Sequence, residues 1–220
     1  MADYKPLQEK AYEYLKQKIT TGQMQPNIIY SETKMSAEIG ISRTPMKDAL
    51  VRLSQDKYID IIPSKGFCLH IMSNEDIWST FQVRTAVEGF CALHLRIYRA
   101  TEEGRKALEI MEQSIHDMEQ CLKDGTDIAT ILSYDMIFHQ TLVHFSANAE
   151  LIQLFESYNH RLYDIAYKSL ELPGRAEIAL EEHRQIFRDI CEDDIIAESR
   201  LYGDVMYHMT ASRDIALASL

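Results

Sequence analysis

The sequence predicts a mainly α protein in two parts. Residues 1–72 read as three short helices followed by a β-hairpin, and residues 73–220 as an all-helical bundle. Three observations carry this. Apolar residues recur at helical spacing through most of the chain, β-forming residues concentrate between Tyr58 and Ile71, and breaker clusters interrupt the remainder at intervals.

The first helix is marked by Leu7, Ala11, Leu15 and Ile19, one every four positions, and closes before Gly22 and Pro26. Ser31 is placed to cap a second helix that runs to Ile39 and stops at Gly40. A third starts after Ser42, with Met46, Ala49, Leu50 and Leu53 at i, i+3, i+4 and i+7. Pro45 is tolerated in its first turn, where backbone N–H groups have no helical partner. Tyr58–Ile62 and Phe67–Ile71 then read as strands joined by the turn Pro63-Ser-Lys-Gly66, a wing with a basic tip. Ser73-Asn-Glu-Asp76 looks like the cap of a new helix and marks the domain boundary.

Beyond it, breaks at Ala100-Thr101, Asp124-Gly125, Ser146-Ala-Asn148, Leu172-Pro-Gly174 and Glu192-Asp-Asp194 divide the chain into about six helices. Such helices pack as a bundle.

Composition narrows the class of function. With 46% hydrophobic and 26% charged residues, the chain has the balance of a soluble globular protein. No stretch approaches a membrane span, and the start lacks a secretory pattern. Cys68, Cys91, Cys121 and Cys191 are too far apart for a thiolate zinc motif, and a cytoplasmic location is expected. The net charge of −11 is unevenly spread: residues 1–72 carry +2, and the rest −13. A small positive part beside an acidic one suits local DNA contacts and excludes a protein that coats DNA.

The first part has the layout of a winged helix-turn-helix. Its third helix buries Met46, Ala49, Leu50 and Leu53 and turns Arg43, Thr44 and Lys47 outward around its positive end. Arg43 can bond guanine O6 and N7, while Thr44 and Lys47 suit phosphates. Lys65 and Gly66 at the wing tip can approach a minor groove.

A second constellation lies in the bundle. Asp135 and His139 stand at i, i+4 and face one way from one helix. His183 is expected on the bundle's fifth helix and His208 on its sixth, and converging helices can bring all four side chains together. One Asp and three His suit zinc, nickel, manganese or iron. Such a site with an open position can also activate water, so a metal-dependent hydrolase or lyase acting on a small organic acid is the alternative. No nucleophile or separate general acid stands at a supporting spacing.

Several stretches together resemble the GntR family of transcription regulators, in its FadR-like branch. They are Ile19-Thr-Thr-Gly22, Gln25-Pro26, Ser31-Glu32, the run Ala37–Leu53 with its Ser42-Arg-Thr-Pro45 core, and Pro63-Ser-Lys-Gly66. In the bundle they are Val83-Arg84-Thr-Ala-Val-Glu88, Asp135-x-x-x-His139, Ser146-Ala-Asn148, Glu182-His183 and a histidine in the last helix. The resemblance implies a ligand-responsive repressor or activator that binds operator DNA as a homodimer. Ser42, Arg43, Thr44, Lys47, Arg52 and Gly66 would lie near the DNA. It also implies that Asp135, His139, His183 and a last-helix histidine hold a metal, and that Arg84 faces the cavity and pairs with a carboxylate effector.

Three departures stand out. Asn27 replaces a usual glycine. Lys47 replaces a usual arginine and loses bidentate geometry. His183 and His208 are 25 residues apart where the family has about 22, so Asp204 competes with His208 for the fourth ligand position; imidazole is the commoner ligand there, which favours His208.

Overall fold

The computed structural model describes residues 5–218, which fall into two compact units divided between Met72 and Ser73. The first unit contains α1 (Leu7–Thr20), α2 (Glu32–Glu38), α3 (Arg43–Gln55), β1 (Ile59–Ile62) and β2 (Gly66–Leu69). The Ser31 side chain accepts from the Lys34 amide and so caps α2. Leu15, Met46 and Leu53 are fully buried at the contact of α1 with α3, and Ile59 and Phe67 extend that core beneath the hairpin.

The strands pair antiparallel from Ile59↔Leu69 to Ile62↔Gly66. The outer edge of β2 is closed by Tyr30, whose N–H and C=O exchange hydrogen bonds with Phe67 at 2.7 and 3.1 Å. This contact explains Gly66. Its φ is +131°, and a Cβ there would lie 2.1 Å from the Tyr30 carbonyl oxygen. The wing glycine is therefore required by the unit's own backbone. Asn27 has φ +64°, the left-handed conformation that glycine adopts freely and that asparagine tolerates better than most residues.

The second unit is helical throughout its described residues: α4 (Asn74–Tyr98), α5 (Glu102–Asp124), α6 (Ile128–Phe145), α7 (Ala149–Ser157), α8 (Asn159–Leu170), α9 (Arg175–Cys191) and α10 (Ile195–Ala218). Ser73 and Asp76 form a reciprocal capping box at the start of α4. Asp127 and Asn148 cap α6 and α7 through their side-chain oxygens. Seven helices stand where the sequence predicts about six. The additional break falls at Tyr158, which separates α7 from α8 without a Gly or Pro. His183 and His208 accordingly lie on the sixth and seventh helices of the unit.

The turn after α9 is held by a buried arginine. Arg96 of α4 donates to the carbonyls of Asp189, Glu192 and Asp194, the latter two at 2.6 Å. Carbonyls freed at a helix end are thus satisfied by a side chain from another helix. The helix α4 packs against α6, α9 and α10, and α8 lies against α6, α9 and α10. Polar side chains from α4, α6, α9 and α10 meet in the interior of this bundle.

Candidate metal centre and nucleic-acid face

At that meeting point stand His139 of α6, His183 of α9 and His208 of α10, each at most 3% exposed. Their ligating nitrogens all lie within 4.8 Å of one another. The Nε2 of His139 is 3.1 Å from that of His183 and 3.3 Å from that of His208. The Asp135 carboxylate lies alongside, 3.5 Å from His183 Nε2 and 3.9 Å from His139 Nε2. The structure therefore brings together all four residues that the sequence singled out, with His208 in the last position.

The ring orientations are set by neighbours. His139 Nδ1 contacts Glu88 Oε2 at 2.6 Å, and His208 Nδ1 contacts Glu182 Oε2 at 2.6 Å. A carboxylate can only accept, so both imidazoles carry their proton on Nδ1 and present a bare lone pair on Nε2. The His183 ring is stacked on Phe138, centroids 4.3 Å apart.

Two lone pairs facing each other at 3.3 Å in a buried site repel unless a cation lies between them. Nitrogens about 2.0–2.1 Å from a shared metal are about 2.8–3.0 Å apart on adjacent corners of an octahedron and about 3.3–3.4 Å apart on those of a tetrahedron. The two separations from His139, 3.1 and 3.3 Å, fall within that span. Carboxylates on the distal imidazole nitrogens are also the usual outer partners of histidine ligands. The residues fit a divalent transition metal.

Electrostatics point the same way. Burial, aided by neighbouring positive groups, holds all three histidines well below the usual imidazole range, so they are neutral and ready to ligate. Burial pushes Asp135 up to about 6, against the pull of the Arg84 guanidinium. The Glu182 carboxyl is also raised by burial, opposed by Arg175.

Arg84 is 5% exposed, and its Nε donates to Glu88 Oε1 at 2.5 Å. This i, i+4 pair is buried and shares Glu88 with His139. Beside it a cavity of about 10 Å³ is lined by Arg84, Asp135, Arg175 and His208, with Ile165 and Ser169 of α8 on its wall. That volume holds about one water.

Asp204 does not join the centre. Its carboxyl hydrogen-bonds that of Asp189, which also accepts from Arg200 at 2.9 Å. Burial and the neighbouring Asp189 raise Asp204 to about 6, while hydrogen bonds from Asp204, Arg200 and Gln185 outweigh burial and lower Asp189. The i, i+4 spacing of Arg84 and Glu88 reads as a salt bridge, which the structure contains, but nothing in the sequence marks Glu88, Glu182 and Arg175 as parts of the centre. Arg175 and Glu182 stand at i, i+7, and neither spacing reveals burial.

In the first unit Ser42, Arg43, Thr44 and Lys47 are exposed around the N-terminus of α3, where the backbone N–H groups and helix dipole favour anions. Arg43 Nε lies 3.3 Å from Glu32 Oε1, while its side chain remains 64% exposed. Lys65 is exposed at the wing tip. Arg52 is engaged within the unit: it donates to Glu9 at 2.6 Å, and its guanidinium lies 4.0 Å from the Tyr12 ring centre. No described helix is long and apolar enough to cross a membrane.

Comparison with known proteins agrees with this division. Residues 7–69 match the gntR family of bacterial regulatory proteins, and residues 79–201 match the FCD domain. An uncharacterised HTH-type transcriptional regulator of Bacillus subtilis strain 168, YdhC, is 30% identical over 81% of this chain and 78% of its own. The solved structure of E. coli McbR/YncC superposes with a TM-score of 0.65 at 17% identity, covering 96% of this chain and 98% of that one. The metal-free FCD domain of TM0439 superposes at 0.54 and 15% identity, over 67% of this chain and 96% of its own. The matched families and relatives are transcription regulators and not enzymes, so the hydrolase or lyase alternative has no support. A gntR-type helix-turn-helix joined to an FCD domain along one chain makes this protein a member of the GntR family of transcription regulators.

Proposed function

We propose that this DNA-binding regulator acts in the cytoplasm as a homodimer on a pseudo-palindromic operator, and that a small organic acid bound in its helical unit controls it. The observation that carries the effector part is the convergence of His139, His183 and His208 on one point, with Glu88 and Glu182 fixing the tautomers of two of them. Asp135, His139, His183 and His208 hold zinc, nickel, manganese or iron, and the metal supplies a Lewis-acid attachment point for a ligand carboxylate. Arg84 orients that carboxylate from the cavity wall.

The cavity has room for about one water, so a larger ligand enters only as α8 moves away from Asp135 and His208. Binding and rearrangement are then one event. This gives the ligand the difference in affinity between two conformations that regulation requires.

On the DNA side, α3 enters the major groove. Arg43 reads a base edge there, Ser42, Thr44 and Lys47 hold phosphates, and Lys65 and Gly66 lie over the minor groove. Arg52 contributes by fixing α1 against α3 through Glu9 and Tyr12. For the dimer, Phe90 and Ile97 project two turns apart from one side of α4, 52% and 69% exposed, as an apolar surface for a second copy.

The test is fluorescence anisotropy with duplexes from the DNA upstream of the gene itself, at two salt concentrations, with zinc-loaded protein. Sequence-selective, salt-sensitive binding lost in Arg43→Ala supports the proposal. Equal affinity for scrambled duplexes overturns it.

A further inference from the structure

We infer that the effector carries two acidic groups, and that Arg175 with Ser212 forms the site for the second. This rests on the proposed function and specifies the class of ligand.

Arg175 opens α9 and is 5% exposed, facing the same cavity as Arg84. Its Nη2 donates to Glu182 Oε2 at 2.9 Å and to Ser212 Oγ at 3.1 Å. Its Nε and Nη1 are buried and lack a hydrogen-bond partner. A guanidinium has five N–H donors, so three of them, on a buried cation, point at no acceptor. Natural interiors rarely leave such groups without one, and each exception calls for a reason.

The neighbouring carboxylates are largely committed. Glu182 Oε2 serves both Arg175 and His208 Nδ1, and Glu88 serves both Arg84 and His139 Nδ1. The other oxygen of Glu182, Oε1, is buried and also without a partner, but a single oxygen accepts at most two hydrogen bonds, so at least one Arg175 donor stays open whichever way Glu182 turns. An acceptor from outside the chain would complete Arg175. Three donors on a positive group select an anionic oxo-acid, a carboxylate or a phosphate, over a hydroxyl.

A monocarboxylate satisfies the histidine centre and Arg84 and leaves Arg175 as it is. A dianion spans from that centre to Arg175. Because Glu182 links Arg175 to His208, the second acidic group also engages the residues that position the first.

The experiment is calorimetric titration of the zinc-loaded full chain with succinate, 3-phosphonopropionate and butyrate, a set that differs only in the far group. Wild type is expected to bind at least one of the two doubly acidic compounds tenfold or more tighter than butyrate. The preferred one identifies the second group as carboxylate or phosphate. In Arg175→Gln the ratio to butyrate falls close to one. Arg175→Lys keeps the charge for a protein that fails to fold with Gln, but lacks the guanidinium's outward donors, and it loses most of the ratio too. A wild-type ratio near one, or a ratio that survives both substitutions, overturns the assignment of Arg175 while leaving the carboxylate site standing. Failure of all three compounds to bind wild type removes the carboxylate site and this inference with it.

Discussion

Replacing Glu88 with glutamine tests how the histidine centre is held. The Glu88 carboxylate, 1% exposed, accepts from Arg84 Nε through one oxygen and from His139 Nδ1 through the other. A glutamine of the same shape offers one carbonyl oxygen and one NH2 group. Whichever donor meets the NH2 loses its acceptor, at a cost of about 1–3 kcal/mol in a buried site. Arg84 also loses the negative charge beside it, and breaking a buried ion pair from one side costs about 3–5 kcal/mol. These two costs overlap, so the expected loss of stability is about 3–5 kcal/mol in chelator at neutral pH. Removing an outer partner of a histidine ligand also weakens metal binding by about 10–100-fold. Urea unfolding followed by circular dichroism reads the first quantity, and zinc competition with a chromophoric chelator reads the second. As a control, Glu102→Gln removes an exposed i, i+4 pair with Lys106 and should change stability by no more than about 0.5 kcal/mol. A Glu88→Gln protein as indifferent as that control, with native zinc affinity, would refute the reasoning.

Two further perturbations probe other parts of the molecule. The Asp204 carboxyl is raised to about 6 in the fold, so its contribution to stability is present below the unfolded value near 4 and is lost as pH rises through about 6. Asp204→Asn supplies a permanent donor to Asp189; it should raise the melting temperature at pH 7.5 while changing little at pH 4.5, and a loss at pH 7.5 would contradict this account. Gly66→Ala places a methyl group against the Tyr30 carbonyl in a left-handed backbone and should destabilise the first unit by about 2–4 kcal/mol; a thermal scan unchanged from wild type would show that the wing relaxes freely.

What could be read from the sequence was whatever is encoded locally. Ser31, Ser73, Asn148 and Gly125 mark helix ends through contacts within a few residues, and the structure places helix boundaries beside each of them. The break at Tyr158 carries no such signal. It follows from how α7 and α8 each turn an apolar face to the bundle, with Phe155 buried in one and Leu162 and Ile165 in the other. The histidine centre was legible as a set of ligands because Asp135 and His139 share a helix face. Its outer partners were not. Glu182 precedes His183 in sequence but serves His208 on another helix, and Arg96 satisfies carbonyls nearly a hundred residues away. The choice between His208 and Asp204 also depended on tertiary structure, since both lie on the same face of α10 one turn apart. Arg52 is a case of the opposite kind. It belongs to a matching motif, yet Glu9 and Tyr12, far earlier in the chain, take up its guanidinium.

The most direct test of the histidine centre is the metal content of purified protein after loading with zinc and desalting. The account predicts one zinc per chain in wild type, retained in Asp204→Ala and lost in His208→Ala and Asp135→Ala. Zinc absent from wild type, or lost in Asp204→Ala and kept in His208→Ala, would contradict it.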